Sequence, residues 1–278
     1  MGFSWLASIF YGLAAGFAEF LPISALAHHA MLQKIFGVGT SSPLLRLMLH
    51  LGAVAGLFVA YRPQIDHLNK EQRLAKVPRR RRRREPERKA IFDVQILKTA
   101  LVPALLGFVL YYYTYSWQNN LGKIAGMLLL NGIVLILPRL LPSANKDSRS
   151  MSGLDGLIIG IFSGLGMVPG LSRLGFATTA AQIRGGDRRE SYTWSILLGL
   201  PIMIILILVD FYMLFTTGVG ALTFMIFVKY LFSAVVAGIS AYFAILLMRF
   251  LAVNTGFAGF AYYSWGAALF AFILYLTI

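Results

Sequence analysis

Two short stretches of this chain gather side chains that chemistry on a phosphate group calls for. The first reads Gly16-Phe-Ala-Glu19-Phe-Leu-Pro22-Ile-Ser24-Ala25-Leu-Ala-His28-His29. Pro22 cannot continue a helix from the turn before it but is well placed to begin a new one. In that second helix Ser24 and His28 are four residues apart and share a face. Both lie among apolar neighbours, where ionisable groups are costly and mark a functional site. The second stretch reads Met167-Val-Pro169-Gly170-Leu-Ser172-Arg173-Leu-Gly175-Phe-Ala-Thr178-Thr179. A guanidinium such as that of Arg173, set within an apolar segment, needs an anionic partner and meets phosphate oxygens two at a time. The N-termini of broken helices add unpaired N–H groups and positive dipole ends, which also favour an anion. Together these features describe a phosphate or diphosphate pocket.

Plainer roles stand beside this one. Glu19 and Arg173 can form a salt bridge that only locks the two stretches together, and Ser24 and Ser172 can simply satisfy helix ends. His29, next to His28, is expected to point elsewhere, at the membrane interface. Arg46 and His50 share a helical face and could rim an outward opening, but a surface role is the expectation. Asp210, Lys98 and Lys229 fall at or near expected helix ends, where snorkelling accounts for them. Tyr111, Tyr112, Tyr113, Tyr115 and Trp117 read as an interfacial aromatic belt.

The elements that must position these residues are membrane helices. Of 278 residues, 58% are apolar and mean hydropathy is +0.72, well above the roughly 45–50% apolar content of soluble domains, which excludes a water-soluble globule. Six apolar runs, Pro43–Tyr61, Ala90–Tyr115, Leu121–Leu141, Tyr192–Phe215, Leu222–Met248 and Val253–Ile278, are long enough to cross a hydrocarbon core of roughly 30 Å as helices. Ser4–Gln33 and Leu154–Ile183 are interrupted by Pro, Gly, Ser and charged residues and read as hairpins. The expected fold is therefore an all-α integral membrane protein: six transmembrane helices plus two re-entrant helix hairpins. No cleavable signal is expected, because the N-terminus lacks a basic region and a small-residue cleavage site. Without cysteine there is neither a disulfide nor a thiolate metal site.

Compared with itself at an offset near 148, the chain brings Gly12 onto Gly160, Gly16 onto Gly164 and Ser24 onto Ser172, with Pro22 and Pro169 one residue out of step. Each motif is followed by three spanning helices and a polar connection. An odd number of spans sends the second copy into the membrane from the opposite side, so the expected organisation is an inverted repeat, residues 1–141 and 153–278, joined by a short cytoplasmic loop 142–152. Charge supports the orientation. The segment Arg62–Lys89, within a basic cytoplasmic loop 62–90, holds twelve of the twenty-five Lys and Arg residues, including the run Arg79–Arg84. With it on the cytoplasmic side stand Arg139, Lys146, Arg149, Arg184, Arg188, Arg189 and Arg249, against Lys34, Arg46 and Lys123 outside. The C-terminus is then outside. The net charge of +14 reads as a loop held by anionic headgroups rather than as a nucleic-acid site.

The two motifs, Glu19-Phe-Leu-Pro-Ile-Ser24 with His28, and Pro169-Gly-Leu-Ser172-Arg173, resemble those of the bacterial undecaprenyl-diphosphate phosphatases, the bacitracin-resistance family. About thirty residues carry the motif identity, and the order of hairpins and helices extends the resemblance over nearly the full length. It implies an integral enzyme of the bacterial plasma membrane that removes the terminal phosphate of a polyprenyl diphosphate on the outer face, with a divalent cation, and so recycles the lipid carrier of peptidoglycan synthesis. Carried across, Glu19 corresponds to the second of the family's paired glutamates, His28 to its histidine, and Ser172 and Arg173 to its serine–arginine pair. The first glutamate falls at Ala15, the second serine of its Ser-Ser pair at Ala25, the serine after the arginine at Leu174, and a later threonine at Ala177, with Thr178 following.

Two function readings result. In the first, a phosphatase, Arg173, Ser172, Gly170 and Thr178 bind the diphosphate while Ser24 or His28 attacks or activates water, and Glu19 orients His28 or holds Mg²⁺ or Ca²⁺. A single carboxylate is a thin ligand set for either ion. In the second, a non-catalytic relative binds or translocates polyprenyl phosphate and keeps the arginine clamp, as the alanines at 15 and 25 would predict. Partners on either reading are a polyprenyl phosphate or diphosphate lipid and anionic lipids at the 62–90 loop.

Overall fold

The computed structural model describes residues 3–38, 42–76, 94–141, 146, 150–218 and 222–277. Ten α-helices occupy them: α1 (Trp5–Phe20), α2 (Ala25–Phe36), α3 (Pro43–Lys76), α4 (Val94–Thr114), α5 (Leu121–Leu140), α6 (Gly153–Leu165), α7 (Arg173–Ile183), α8 (Arg188–Thr217), α9 (Phe224–Asn254) and α10 (Gly259–Thr277). A 3₁₀ turn, Tyr115–Asn119, follows α4. Six of the helical segments, those of α3, α4 with its turn, α5, α8, α9 and α10, are long and apolar enough to cross a membrane. Large apolar side chains such as Phe58, Val102, Leu106, Phe215 and Leu269 stand exposed on their outer faces, as expected where lipid rather than water is the solvent. The chain is a multi-pass membrane protein.

Sequence-local chemistry sets the ends of the short helices. α1 starts on Ser4, whose hydroxyl accepts from the Ala7 amide at 3.0 Å, and stops at Leu21 in an extended conformation, because the residue before a proline is pushed out of the helical region. α2 restarts at Ala25, three residues beyond Pro22, and is capped at its end by Gly37, with φ +58°. α6 opens on a reciprocal cap between Ser152 and Asp155. With 16 and 13 residues, α1 and α6 reach only about 24 and 20 Å at 1.5 Å per residue, less than a hydrocarbon core.

The glycines that align the two halves mark close helix contacts. A methyl group on Gly12 or Gly16 would strike α9, at 2.6 Å from the Ser233 carbonyl oxygen and 2.0 Å from Ser240 Oγ. One on Gly160 would lie 2.2 Å from the Ala100 carbonyl oxygen of α4. Small residues let backbones approach this closely, the usual basis of helix association in lipid. Thus α1 lies on the fourth helix of the second half and α6 on the fourth helix of the first.

Several boundaries differ from the sequence-based expectation. Arg62 does not begin a loop: α3 continues through Pro63 to Lys76, and a helix running on into water carries no hydropathy signal. The run Arg79–Arg84 and the rest of residues 77–93 lie outside the described residues, as do residues 142–145 and 147–149 of the expected connection. Lys146 forms an isolated parallel bridge with Gly186. α8 starts at Arg188, earlier than Tyr192, capped by Asp187. α9 runs on to Asn254, so α10 begins at Gly259 rather than Val253.

Candidate functional site

Both hairpin breaks meet at the centre of the molecule. Ser24, N-cap of α2, has its hydroxyl oxygen hydrogen-bonded by the Ala27 amide of its own helix at 3.3 Å and by the Gly170 amide of the opposite hairpin at 3.1 Å. Gly170 itself has φ +100°, a conformation that L side chains rarely adopt. Ser172, N-cap of α7, accepts from the Gly175 amide at 3.1 Å, while its own N–H donates to Asn131 Oδ1 at 2.9 Å. Asn131, fully buried on α5, returns its amide group to Ser264 Oγ at 2.9 Å and to the Pro22 carbonyl at 3.4 Å. One asparagine thus ties both breaks to α5 and α10. The amides of Gly170 and Ser172, expected to face an anion, are engaged within the protein.

Across this knot Arg173 Nη2 donates to Glu19 Oε1, and both side chains are 12% exposed. The guanidinium rests against Gly199 of α8, where a methyl group would fall 2.0 Å from Arg173 Nη1. That same Nη1 is buried and has no acceptor among the described residues. An unsatisfied charged donor at such a depth is expensive.

The pair opens into a cavity of about 460 Å³, lined by Glu19, Ser24, Ser172 and Arg173 at its inner end and by apolar residues of α1, α3, α4 and α8. Its far end holds a second charged group. Arg46 Nε donates to Asp210 Oδ1 at 2.8 Å, and His50 Nδ1 contacts Asp210 Oδ2 at 3.0 Å. Asp210 is buried mid-helix, not snorkelling at an end, and Arg46 and His50 line the cavity rather than the outer surface. Of the expected aromatic belt, Tyr112 and Tyr113 are exposed, while Tyr111, Tyr112 and Tyr115 contribute to the cavity wall. Lys98 is exposed near the start of α4, and Lys229 near the start of α9 donates to the Phe3 carbonyl at 2.8 Å, both as expected of helix-end lysines.

The two adjacent histidines part company. His28 directs Nδ1 to the Ser24 carbonyl at 2.6 Å and Nε2 to the Tyr263 hydroxyl at 2.7 Å, with its ring stacked on Tyr263. Tyr263 belongs to a second, larger cavity of about 860 Å³ that also includes Pro22, Gly175, Thr178, Arg139 and Arg188. Thr178 donates to Ser195 Oγ at 3.0 Å on that side. His29, by contrast, lines the smaller cavity together with Ala25 and Ala15. The structure therefore brings Glu19, Ser24, Ser172 and Arg173 to one cavity and places His28 and Thr178 away from it.

The donors at Glu19 do not fit a divalent cation. Among the described residues no three His, Cys, Asp or Glu side chains gather closely enough to hold one, the Glu19 carboxylate is taken up by Arg173, and Ala15, one turn earlier, offers no ligand. The larger cavity has neither Glu19 nor Arg173 in its wall. Sequence reasoning missed Asn131 and Gly199. A lone amide in the middle of an apolar span is a readable signal for Asn131, whereas nothing local marks Gly199.

The family model described as bacitracin resistance protein BacA matches residues 8–270 of this chain. Among curated relatives, the undecaprenyl-diphosphatase of Halothermothrix orenii is 26% identical over 269 residues, 96% of each chain. That of Carboxydothermus hydrogenoformans is 26% identical over 260 residues, 93% of this chain and 92% of the relative. The undecaprenyl-diphosphatase of Alkaliphilus metalliredigens is 25% identical over 263 residues, 93% and 94% of the two chains.

Proposed function

The chain belongs to the bacitracin resistance protein BacA family, and from that premise we propose that it hydrolyses undecaprenyl diphosphate to undecaprenyl phosphate and inorganic phosphate. The observation that carries this reading is Arg173: a guanidinium held by Glu19 and lining the inner end of a cavity between two hairpins. Such a group stabilises the charge that builds on phosphoryl oxygens as the bond to the leaving phosphate lengthens. Glu19 positions it. The lipid tail of the substrate leaves the cavity between helices whose outer faces are apolar. No step of the reaction is routed through a cation at Glu19.

On this reading the hairpins α1–α2 and α6–α7 are re-entrant, the halves are inverted, and the smaller cavity opens to the outer face of the bacterial plasma membrane. The basic loop is cytoplasmic, where anionic lipids hold it, and the C-terminus is outside. These assignments draw on the positive-inside bias of the sequence and on the position of Arg46 near the start of α3.

Purified protein in detergent, given a C15 polyprenyl diphosphate and assayed for phosphate release, tests the reading. Release that disappears in Arg173→Ala supports it. Tight binding of polyprenyl phosphate with no release would favour a carrier instead. Ala15→Glu, which places a second carboxylate beside Glu19, is expected to raise release in Mg²⁺ or Ca²⁺ if the protein is a phosphatase and to change nothing if it is a carrier.

A further inference from the structure

A carbonyl or an amide freed where a helix breaks has no partner along its own chain, and inside a bilayer it has no water to turn to. Two such groups flank the charged pair: the carbonyl of Pro22, three residues after Glu19, and the amide of Ser172, the residue before Arg173. One side chain meets both. Asn131, fully buried on α5, accepts from the Ser172 amide through Oδ1 at 2.9 Å and donates through Nδ2 to the Pro22 carbonyl at 3.4 Å. Its second Nδ2 hydrogen goes to Ser264 Oγ of α10 at 2.9 Å. Because the Ser172 amide only donates and the Pro22 carbonyl only accepts, a single orientation of the carboxamide serves them, and it uses one acceptor and two donors at once. Neither a carboxylate nor a hydroxyl supplies that set.

The base on which Asn131 stands is rigid. A methyl group on Gly132, the next residue of α5, would lie 2.3 Å from Trp265 Nε1 and 2.9 Å from the Ala261 carbonyl oxygen, and the Trp265 indole donates to the Leu129 carbonyl at 3.2 Å. Helices α5 and α10 therefore touch closely at the level of Asn131. One turn to either side, α5 also meets the second hairpin: a methyl group on Gly170 would fall 2.4 Å from Met127 Cβ, and one on Gly175 would fall 2.9 Å from Leu135 Cδ2. On the other side α10 meets the first hairpin, through Tyr263 and His28 at 2.7 Å. The bond from the Gly170 amide to Ser24 ties the hairpins to each other. Asn131 ties both of them to α5 and α10.

Resting on the phosphatase reading above, we propose that Asn131 is a positioning residue for the reaction: by holding the Pro22 carbonyl and the Ser172 amide, it fixes where Glu19 and Arg173 stand relative to each other and so aims the guanidinium at the phosphate. Asn131 lines neither cavity, so it acts through those two backbone groups and not on the substrate. The path to the guanidinium is short, since Arg173 is the first residue of α7 and directly follows the held amide. A shift of about 1 Å in a group that orients the reaction costs on the order of 100-fold in rate.

The test is phosphate release from a C15 polyprenyl diphosphate by the full chain in detergent, wild type against Asn131→Leu, which keeps a branched side chain and removes every hydrogen-bonding atom. Both are assayed well below their own melting temperatures. The expected result is a loss of about 100-fold in kcat with little change in KM, alongside a lower melting temperature from the backbone groups left unpaired. The rate loss should depend on Arg173: in an Arg173→Ala background, Asn131→Leu is expected to lower the residual rate by less than about threefold, because residues that act as a unit are not additive. A merely structural residue would lower both chains by the same factor. A kcat for Asn131→Leu within about threefold of wild type, whatever its melting temperature, overturns the inference and leaves the phosphatase reading intact, since misplacement costs far more than that. An equal loss in the two backgrounds overturns it as well. Where Asn131→Leu does not fold, Ser264→Ala carries the comparison: it frees Asn131 from α10, and kcat should fall by about tenfold, only while Arg173 is present. An unchanged kcat in Ser264→Ala then overturns the inference. Absence of release from the wild-type chain overturns the phosphatase reading and this inference together.

Discussion

The two cavities of this protein share a wall and differ in what they hold. The smaller, about 460 Å³, has an ion pair at each end, Glu19–Arg173 and Arg46–Asp210. The larger, about 860 Å³, is lined by Pro22, Gly175, Thr178 and the tip between α9 and α10, and has Arg139, Arg188 and Asp187 at its margin. The helices place their openings at opposite ends of the molecule: Arg188 starts α8 in one wall, and Met213 near its end stands in the other. The contrast teaches that volume is a poor guide to chemistry in a membrane protein. What distinguishes the smaller cavity is two ion pairs enclosed among apolar walls, in a place where ionised groups are costly.

Substitutions can break this contrast or sharpen it. The largest effect is expected from Arg173→Ala, a loss of about 10³-fold in kcat/KM for phosphate release, the scale of removing a donor that stabilises transition-state charge. Arg173→Lys should recover little, because an ammonium cannot serve Glu19 and a phosphate with the same fork. Gly199→Ala is expected to push the guanidinium off its seat, since the new methyl would lie 2.0 Å from Nη1. The displaced atom is the end of a flexible side chain, so the melting temperature should hardly move while kcat falls on the order of 10²-fold, as for other misplaced catalytic groups. Asp210→Asn strips the carboxylate from Arg46 and His50, and the expected stability loss is about 3 kcal/mol, read by thermal unfolding in detergent, with a smaller effect on rate. The smallest effect belongs to the other cavity. Thr178→Val removes one hydrogen bond to Ser195, which keeps its own bond to the Ser191 carbonyl, so stability should drop by about 1 kcal/mol with the rate nearly unchanged. A rate loss in Thr178→Val comparable to that in Arg173→Ala would break the contrast.

Much of the architecture could be read from the chain because the bilayer makes run length and interruption informative. The six apolar segments and the two proline-broken hairpins follow from that alone. The pairing of Glu19 with Arg173 followed because opposite charges in apolar surroundings have few ways to exist. The different surroundings of His28 and His29 did not follow. A step of one residue turns a side chain by about 100° around a helix of 3.6 residues per turn, and with Ala25, Leu26 and Ala27 preceding them, composition does not say which direction is lipid, partner helix or cavity. Asp210 was misjudged for a related reason: its partners Arg46 and His50 come from a helix more than 150 residues earlier. Gly199 is informative only through what presses on it.

The wall between the cavities is thin. Pro22 faces one and Ile23 the other, and across the knot Gly175 and Leu174 divide in the same way. Where water enters from both ends, the electrical potential across a membrane falls mainly over what remains dry between them. Each elementary charge moved through the full potential then exchanges about 2.3 kcal/mol per 100 mV. Glu19 and Arg173 sit at the edge of that steepest drop, so an anionic headgroup approaching them in an energised vesicle travels through part of the voltage, and its affinity should respond to the sign and size of the gradient.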